Sequence, residues 1–123
     1  MKTKRFPTFV VLFTTLILFC GEESPKAPIV DFEEADVKPT VLKSYEPEYP
    51  RDARENGWSG TVIINSLVGI DGLVEDTYIR ESSGYLTLDN AALDAAVMWE
   101  FTQAEKDGEL VRVWVEIPFN FKL

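Results

Sequence analysis

The sequence predicts an α+β domain in the order short helix, hairpin, helix, long strand (α-β-β-α-β), and three observations predict it. From Val111 to Leu123, apolar Val111, Val113, Val115, Ile117, Phe119, Phe121 and Leu123 alternate with Arg112, Trp114, Glu116, Pro118, Asn120 and Lys122, the two-residue period of a half-buried strand. An alternating run from Ser59 to Ile70 reaches the turn residues Asp71-Gly72, after which the chain resumes as a strand from Val74 to Glu81, as a β-hairpin requires. Leu88, Ala92, Ala95, Ala96 and Trp99 share one stripe at helical spacing. A strand apolar on one face needs a covering layer, and only the helix and hairpin upstream carry enough apolar surface to supply it.

Size and charge bound the rest. With 123 residues, 46% of them hydrophobic, the chain has room for one small domain with a core and no second. A formal net charge of −9 argues against nucleic acid, whose binding requires Lys and Arg to displace counterions. The absence of histidine removes Ser-His and Cys-His catalysis, His-ligated zinc and an imidazole switch. No enzyme, cofactor or metal site is expected.

Residues 1–19 read as an export signal. Lys2, Lys4 and Arg5 precede an apolar run, Phe9 to Phe19, which is shorter than the roughly 20 residues of a membrane-spanning helix. The run ends at Cys20, the only cysteine, so no intramolecular disulfide forms. Ile17-Leu18-Phe19-Cys20 resembles a bacterial lipobox, with Phe19 where a small residue is usual, and the resemblance implies lipid attachment at Cys20. The other readings are a short uncleaved anchor helix or an ordinary signal peptide. Residues 20–44 are acidic, contain Pro25, Pro28 and Pro39 and show no sustained period, which predicts a mostly solvated linker reaching at most about 80 Å. Within it Ile29, Val30 and Phe32 form a small apolar cluster able to dock on the domain.

The folded part is expected over residues 45–123. Pro50 suits the first turn of a helix and Gly57 its left-handed stop, which predicts a short helix from Pro50 to Asn56. The second helix is expected from Leu88 to about Trp99, with Thr87 as N-cap and Asp89 near the positive end of its dipole. Ser82 and Ser83 have no base or activating lysine near them in sequence and read as turn residues, and Lys106-Asp107-Gly108 reads as a loop. Pro118 orients the last strand. Backbone groups of even residues all face one edge, and a proline there has no N–H to give, so the even edge is expected to be free and the odd edge paired. Arg112, Trp114, Glu116 and Asn120 then form a template for an added strand, with an edge merely guarded by Pro118 and charges as the bland alternative.

An ordered set of short matches carries a resemblance: Tyr49-Pro50, Ala53, Gly57, Gly60-Thr61-Val62, Asp71-Gly72, Val74, Ser82-Ser83-Gly84, Leu88-Asp89, Ala91-Ala92-Leu93, Trp99, Phe101, Asp107-Gly108 and Ile117-Pro118-Phe119 with Phe121. Together these resemble the TonB C-terminal domain family from about Tyr45 to Leu123. The resemblance implies a two-layer domain of TolA/TonB C-terminal type, with a three-stranded antiparallel sheet covered on one face by helices. It also implies strand addition beside the last strand by a periplasmic segment of an outer-membrane transporter. Glu46, Glu48 and Tyr49 stand where members approach the partner, with glutamate where some have glutamine. Ser66 stands where a large apolar residue is usual. The chain has no histidine and no full-length span, unlike the force-transducing members, so a periplasm-facing envelope lipoprotein is the leading reading. A scaffold without energy transduction and a transducer with an uncleaved anchor are the alternatives, and a strand-swapped homodimer is compatible with a long apolar edge.

If Cys20 carries the membrane attachment, Cys20→Ser releases the protein into the soluble envelope fraction and abolishes labelling by radioactive palmitate. A variant retained in the membrane at full precursor mass would instead indicate an anchor helix.

Overall fold

The computed structural model describes residues 26–123. The expected export signal and Cys20 lie outside the described residues.

The long strand is β7, Glu109–Phe121. Its odd residues Val111, Val113, Val115, Ile117, Phe119 and Phe121 are all buried. It pairs antiparallel with β3, Gly60–Val68, in unbroken register from Gly60 opposite Phe121 to Val68 opposite Val113. β3 turns into β4, Val74–Glu81, through a loop in which Asp71 Oδ1 accepts the Leu73 N–H at 3.0 Å. These strands form the antiparallel centre. Val62, Ile64 and Val68 of β3 are buried on the same side as the odd residues of β7, as the alternation predicts.

The sheet is larger than the expected three strands. β1, Ile29–Val30, adds to β7 in parallel, so the path runs β1-β7-β3-β4, and β6, Ala104–Lys106, also pairs with β7. β2, Val41–Lys43, and β5, Glu100–Phe101, form a separate two-stranded sheet. Strands of two or three residues show no measurable period, so composition cannot announce them. β6 and β7 are joined by Asp107-Gly108, both at positive φ, 55° and 81°, the two-residue connection that matches the twist of its strands. The residues read as a loop are the tip of a second hairpin.

The stretch expected as a solvated linker runs along the domain. Beyond β1, the 3-10 turn Phe32–Glu34 lies against β7. Asp36 and Val37 both donate their N–H to the Glu105 carbonyl, at 2.8 and 3.0 Å, and Glu105 N–H returns to Val37 at 3.0 Å. Ala35 is buried in the main core. Backbone bonds to strands supply what the polar composition of this stretch did not advertise.

The helices cover one face. α1, Arg51–Asn56, follows Pro50 and stops at Gly57 with φ 70°, as expected. α2, Leu86–Ala96, lies on β3, β4 and β7 and buries Leu88, Ala92, Ala95 and Ala96. It begins two residues earlier than expected, after Tyr85 and with no side-chain cap, so Thr87 is inside the first turn. Trp99 lies beyond the helix end. Its ring meets Phe119 edge-on at 5.8 Å and its Nε1–H donates to the Tyr45 carbonyl at 2.9 Å, so it closes the end of the core from the turn after α2. Ser66 is fully buried in the layer and its hydroxyl has no partner. The site where the resemblance implies a large apolar group therefore holds an unsatisfied polar one.

Two glycines give a paired test of this packing. At Gly57 a Cβ would meet nothing within 4 Å, whereas at Gly72, φ 83°, it would fall 2.1 Å from the Phe101 carbonyl oxygen. Gly57→Ala is expected to cost only the left-handed backbone penalty of about 1–2 kcal/mol. Gly72→Ala adds a clash with backbone that also carries the Phe101 N–H to Gly72 bond of 2.9 Å, and urea denaturation is expected to show the larger loss.

Candidate functional site

The candidate site is the edge of β7 that faces away from β3. Arg112 N–H donates outward to the Pro28 carbonyl at 2.9 Å. Because the β3 register is unbroken, Trp114, Glu116, Pro118 and Asn120 present their backbone groups to this same edge. The proline argument therefore placed the even residues on the correct side. The edge is shorter than expected, because β1 already occupies its upper end. A parallel ladder pairing Ile29 with Arg112 and Val30 with Val113 engages both backbone groups of Arg112 and turns the Trp114 N–H to Val30. Arg112 is also held by its side chain, which donates from Nε to the Ala27 carbonyl at 2.8 Å and pairs with Glu75 at 3.1 Å. It anchors the chain's own strand.

What remains open is the Trp114 carbonyl, both groups of Glu116, the Pro118 carbonyl and the edge at Asn120. Among the described residues no strand pairs with this stretch. Two segments bound it. Phe32 and Glu33 border the upper end beside Trp114 and Glu116, and Ser44 to Pro47 border the lower end beside Pro118 to Asn120. From Trp114 to Pro118 the edge runs about 13 Å at roughly 3.3 Å per residue.

Outer-face side chains form cross-strand pairs. Trp114 meets Tyr78 edge-on at 5.3 Å, and Glu116 accepts from Arg80 at 2.6 Å. Asn65, opposite Glu116, donates to the Tyr78 hydroxyl at 2.7 Å. The remaining expected site residues divide. Glu46 and Glu48 are exposed and line a groove of about 460 Å3 against α2, with Asp94 and Met98. Glu46 also borders the lower end of the β7 edge. Tyr49 is turned inward: its hydroxyl donates to the Trp58 carbonyl, Phe121 lies edge-on at 5.5 Å and Arg54 covers its ring. Tyr49 thus holds α1 onto the sheet. Phe32, Glu33 and Asn65 were missed as site residues. The apolar cluster at Ile29 to Phe32 was the only signal for the first two.

A second polar cluster sits at the start of α2. Asp89 is buried and accepts from Ser82 Oγ at 2.5 Å, Ser83 N–H at 2.9 Å and Ser83 Oγ at 2.8 Å. Burial pushes its carboxyl up, but these three hydrogen bonds together outweigh that and hold it below its ordinary 3.8. A carboxylate made more acidic in this way is a poor general base. The two serine hydroxyls are spent on fastening the turn to the helix.

The fold and edge define a class: a small α+β domain with a long final strand that is partly covered by its own leading segment and partly open. The chain belongs to the family described as Gram-negative bacterial TonB protein C-terminal, whose model matches residues 45–123. It is 38% identical over 82 residues to protein tonB2 of Pseudomonas aeruginosa, covering 67% of this chain and 30% of that protein. It is 36% identical over 87 residues to protein TonB of Vibrio cholerae, covering 70% and 36%. The chain thus spans about a third of the length of these curated relatives. The solution structure of the Pseudomonas aeruginosa TonB CTD superposes with a TM-score of 0.59 at 25% identity, over 76% of this chain and 93% of that one.

The Asp89 cluster sets a pH expectation. Its folded pKa lies below the unfolded value, so its contribution is complete above the unfolded pKa and lost as pH falls through the folded one. Urea denaturation between pH 7 and pH 3 is expected to show that Asp89→Asn lowers stability at neutral pH and flattens the acid side of the profile.

Proposed function

We propose that this chain is a TonB-like envelope protein, periplasm-facing and held to the membrane by a lipid on Cys20. Its domain grips an extended segment of an outer-membrane transporter or another envelope protein by strand addition. The observation that carries the reading is the stretch of β7 from the Trp114 carbonyl to Asn120, which no strand pairs among the described residues and which lies between two segments of its own chain. Main-chain hydrogen bonds to such an edge give affinity for any extended segment, and outer-face side chains choose among segments. Family membership supports a role in TonB-dependent transport. No reacting group is needed for that work, so the proposed activity is binding rather than catalysis.

Glu116 supplies the sharpest test, because its N–H is the central donor of the open stretch and its side chain is exposed. Glu116→Pro removes that donor and leaves the ladder to β3 intact, since proline is tolerated where the N–H faces outward. The expected result is a folded domain, shown by an unchanged far-ultraviolet spectrum, whose photo-crosslinks from position 120 to a transporter segment in whole cells are lost. Glu116→Gln, which keeps the N–H, is expected to retain them. Equal crosslinking by a folded Glu116→Pro protein would move the site away from this edge.

A further inference from the structure

A cavity of about 410 Å3 opens beside the free stretch of β7, between the 3-10 turn and the outer face of the sheet. It is lined by Phe32, Glu33, Asn65, Trp114 and Glu116 together with Val115. A strand added at this edge places alternate side chains on the outer face, next to Trp114 and Glu116. One of them therefore meets this cavity. We infer that the cavity is the selectivity pocket of the edge and takes a basic side chain of the added strand, a guanidinium in preference to an ammonium. The inference rests on the strand-addition reading.

The chemistry of the walls sets the class of ligand. Both ionisable groups lining the cavity are carboxylates. Glu116 is paired with Arg80, and Glu33 is exposed and has no ion pair among the described residues. Asn65 has spent its Nδ2 on Tyr78, and its Oδ1 is buried without a donor. Among the described residues Glu33 is thus the unpaired charge on the walls, with Asn65 Oδ1 an unpaired acceptor. The apolar walls are the rings of Phe32 and Trp114, suited to the stem of a long cationic side chain and to stacking by a planar cation.

The neighbouring cations are all committed. Lys38 lies over the Phe32 ring at 5.5 Å and donates to the Ala35 carbonyl, Arg80 holds Glu116, and Arg112 is bound to Ala27 and Glu75. An acidic side chain would face the unpaired Glu33 carboxylate, and an apolar one would leave Glu33 without a counter-ion. The chain's net charge of −9 adds long-range attraction for a basic segment. The segment before the domain thus contributes directly to selection, because Phe32 and Glu33 form one wall.

The probe is a phage library of random heptapeptides selected on the wild-type chain and screened against Glu116→Pro. Peptides that bind only the wild type are expected to carry Arg or Lys at one fixed position. Replacing that Arg by citrulline, which keeps the shape and removes the charge, is expected to weaken binding about tenfold, the usual scale for one charge-assisted contact. On the double variant Glu33→Gln, Glu116→Gln the two peptides are expected to bind alike. Glu116→Pro-sensitive peptides without a basic preference, or citrulline peptides that bind the wild type equally well, would overturn the pocket and leave strand addition standing. Recovery of no Glu116→Pro-sensitive peptide would overturn strand addition and the pocket with it.

Discussion

The structure depends on β7 being used on both faces and both edges at once. Its odd residues form a layer of the core, one edge bonds β3 over the whole length of that strand, and the other is divided between the chain's own β1 and open backbone. A strand so committed cannot slip by one residue, because a slip would exchange six buried apolar side chains for Arg112, Glu116 and Asn120. That rigidity fixes where the open groups of Trp114, Glu116 and Pro118 stand. On the strand-addition proposal, the receiving edge needs no rearrangement, which lowers the ordering cost of binding.

Strong periodicity made the centre of the fold legible. Alternation identified β3 and β7 and the buried side of each, the Asp71-Gly72 turn identified β4 as the second arm of the hairpin, and the alanine stripe identified the face of α2 that meets them. Pro118 told which edge of β7 meets β3, although β1 occupies the upper end of the other. Most failures come from strands too short to show a period or from contacts between distant segments, which leave no local trace. β1 has two residues and β6 three, and their partners lie 83 and 7 residues away in the respective pairs Ile29 with Arg112 and Ala104 with Val111. Trp99 kept the helical spacing of the stripe although the helix had ended, so spacing alone placed it in the wrong element. The pocket beside Trp114 was invisible for the same reason, since its walls come from residues 32–33, 65 and 114–116.

Polar groups inside the domain are handled in two ways. Asp89 is fully served by Ser82 and Ser83, and joins the end of β4 to the start of α2 in place of a side-chain cap. Ser66 is not served at all. A buried hydroxyl without a partner is a cost that an alanine would avoid. The domain is accordingly tied firmly at the turn into α2 and carries an unpartnered hydroxyl at the middle of β3.

The attachment of the leading segment to β7 also sets how the molecule would yield under tension. A pull applied at residue 26 reaches β1 before it reaches α1 or the core, and β1 is held by a two-residue ladder and the Arg112 side chain. Those few bonds would part first, and the residues before Ala35 would then unreel by about 30 Å at roughly 3.3 Å per residue, while the bonds of Asp36 and Val37 to Glu105 and the pairing of β2 with β5 still held the rest of the segment. The segment would act as a mechanical fuse in series with the domain, and its release would uncover the upper end of the β7 edge.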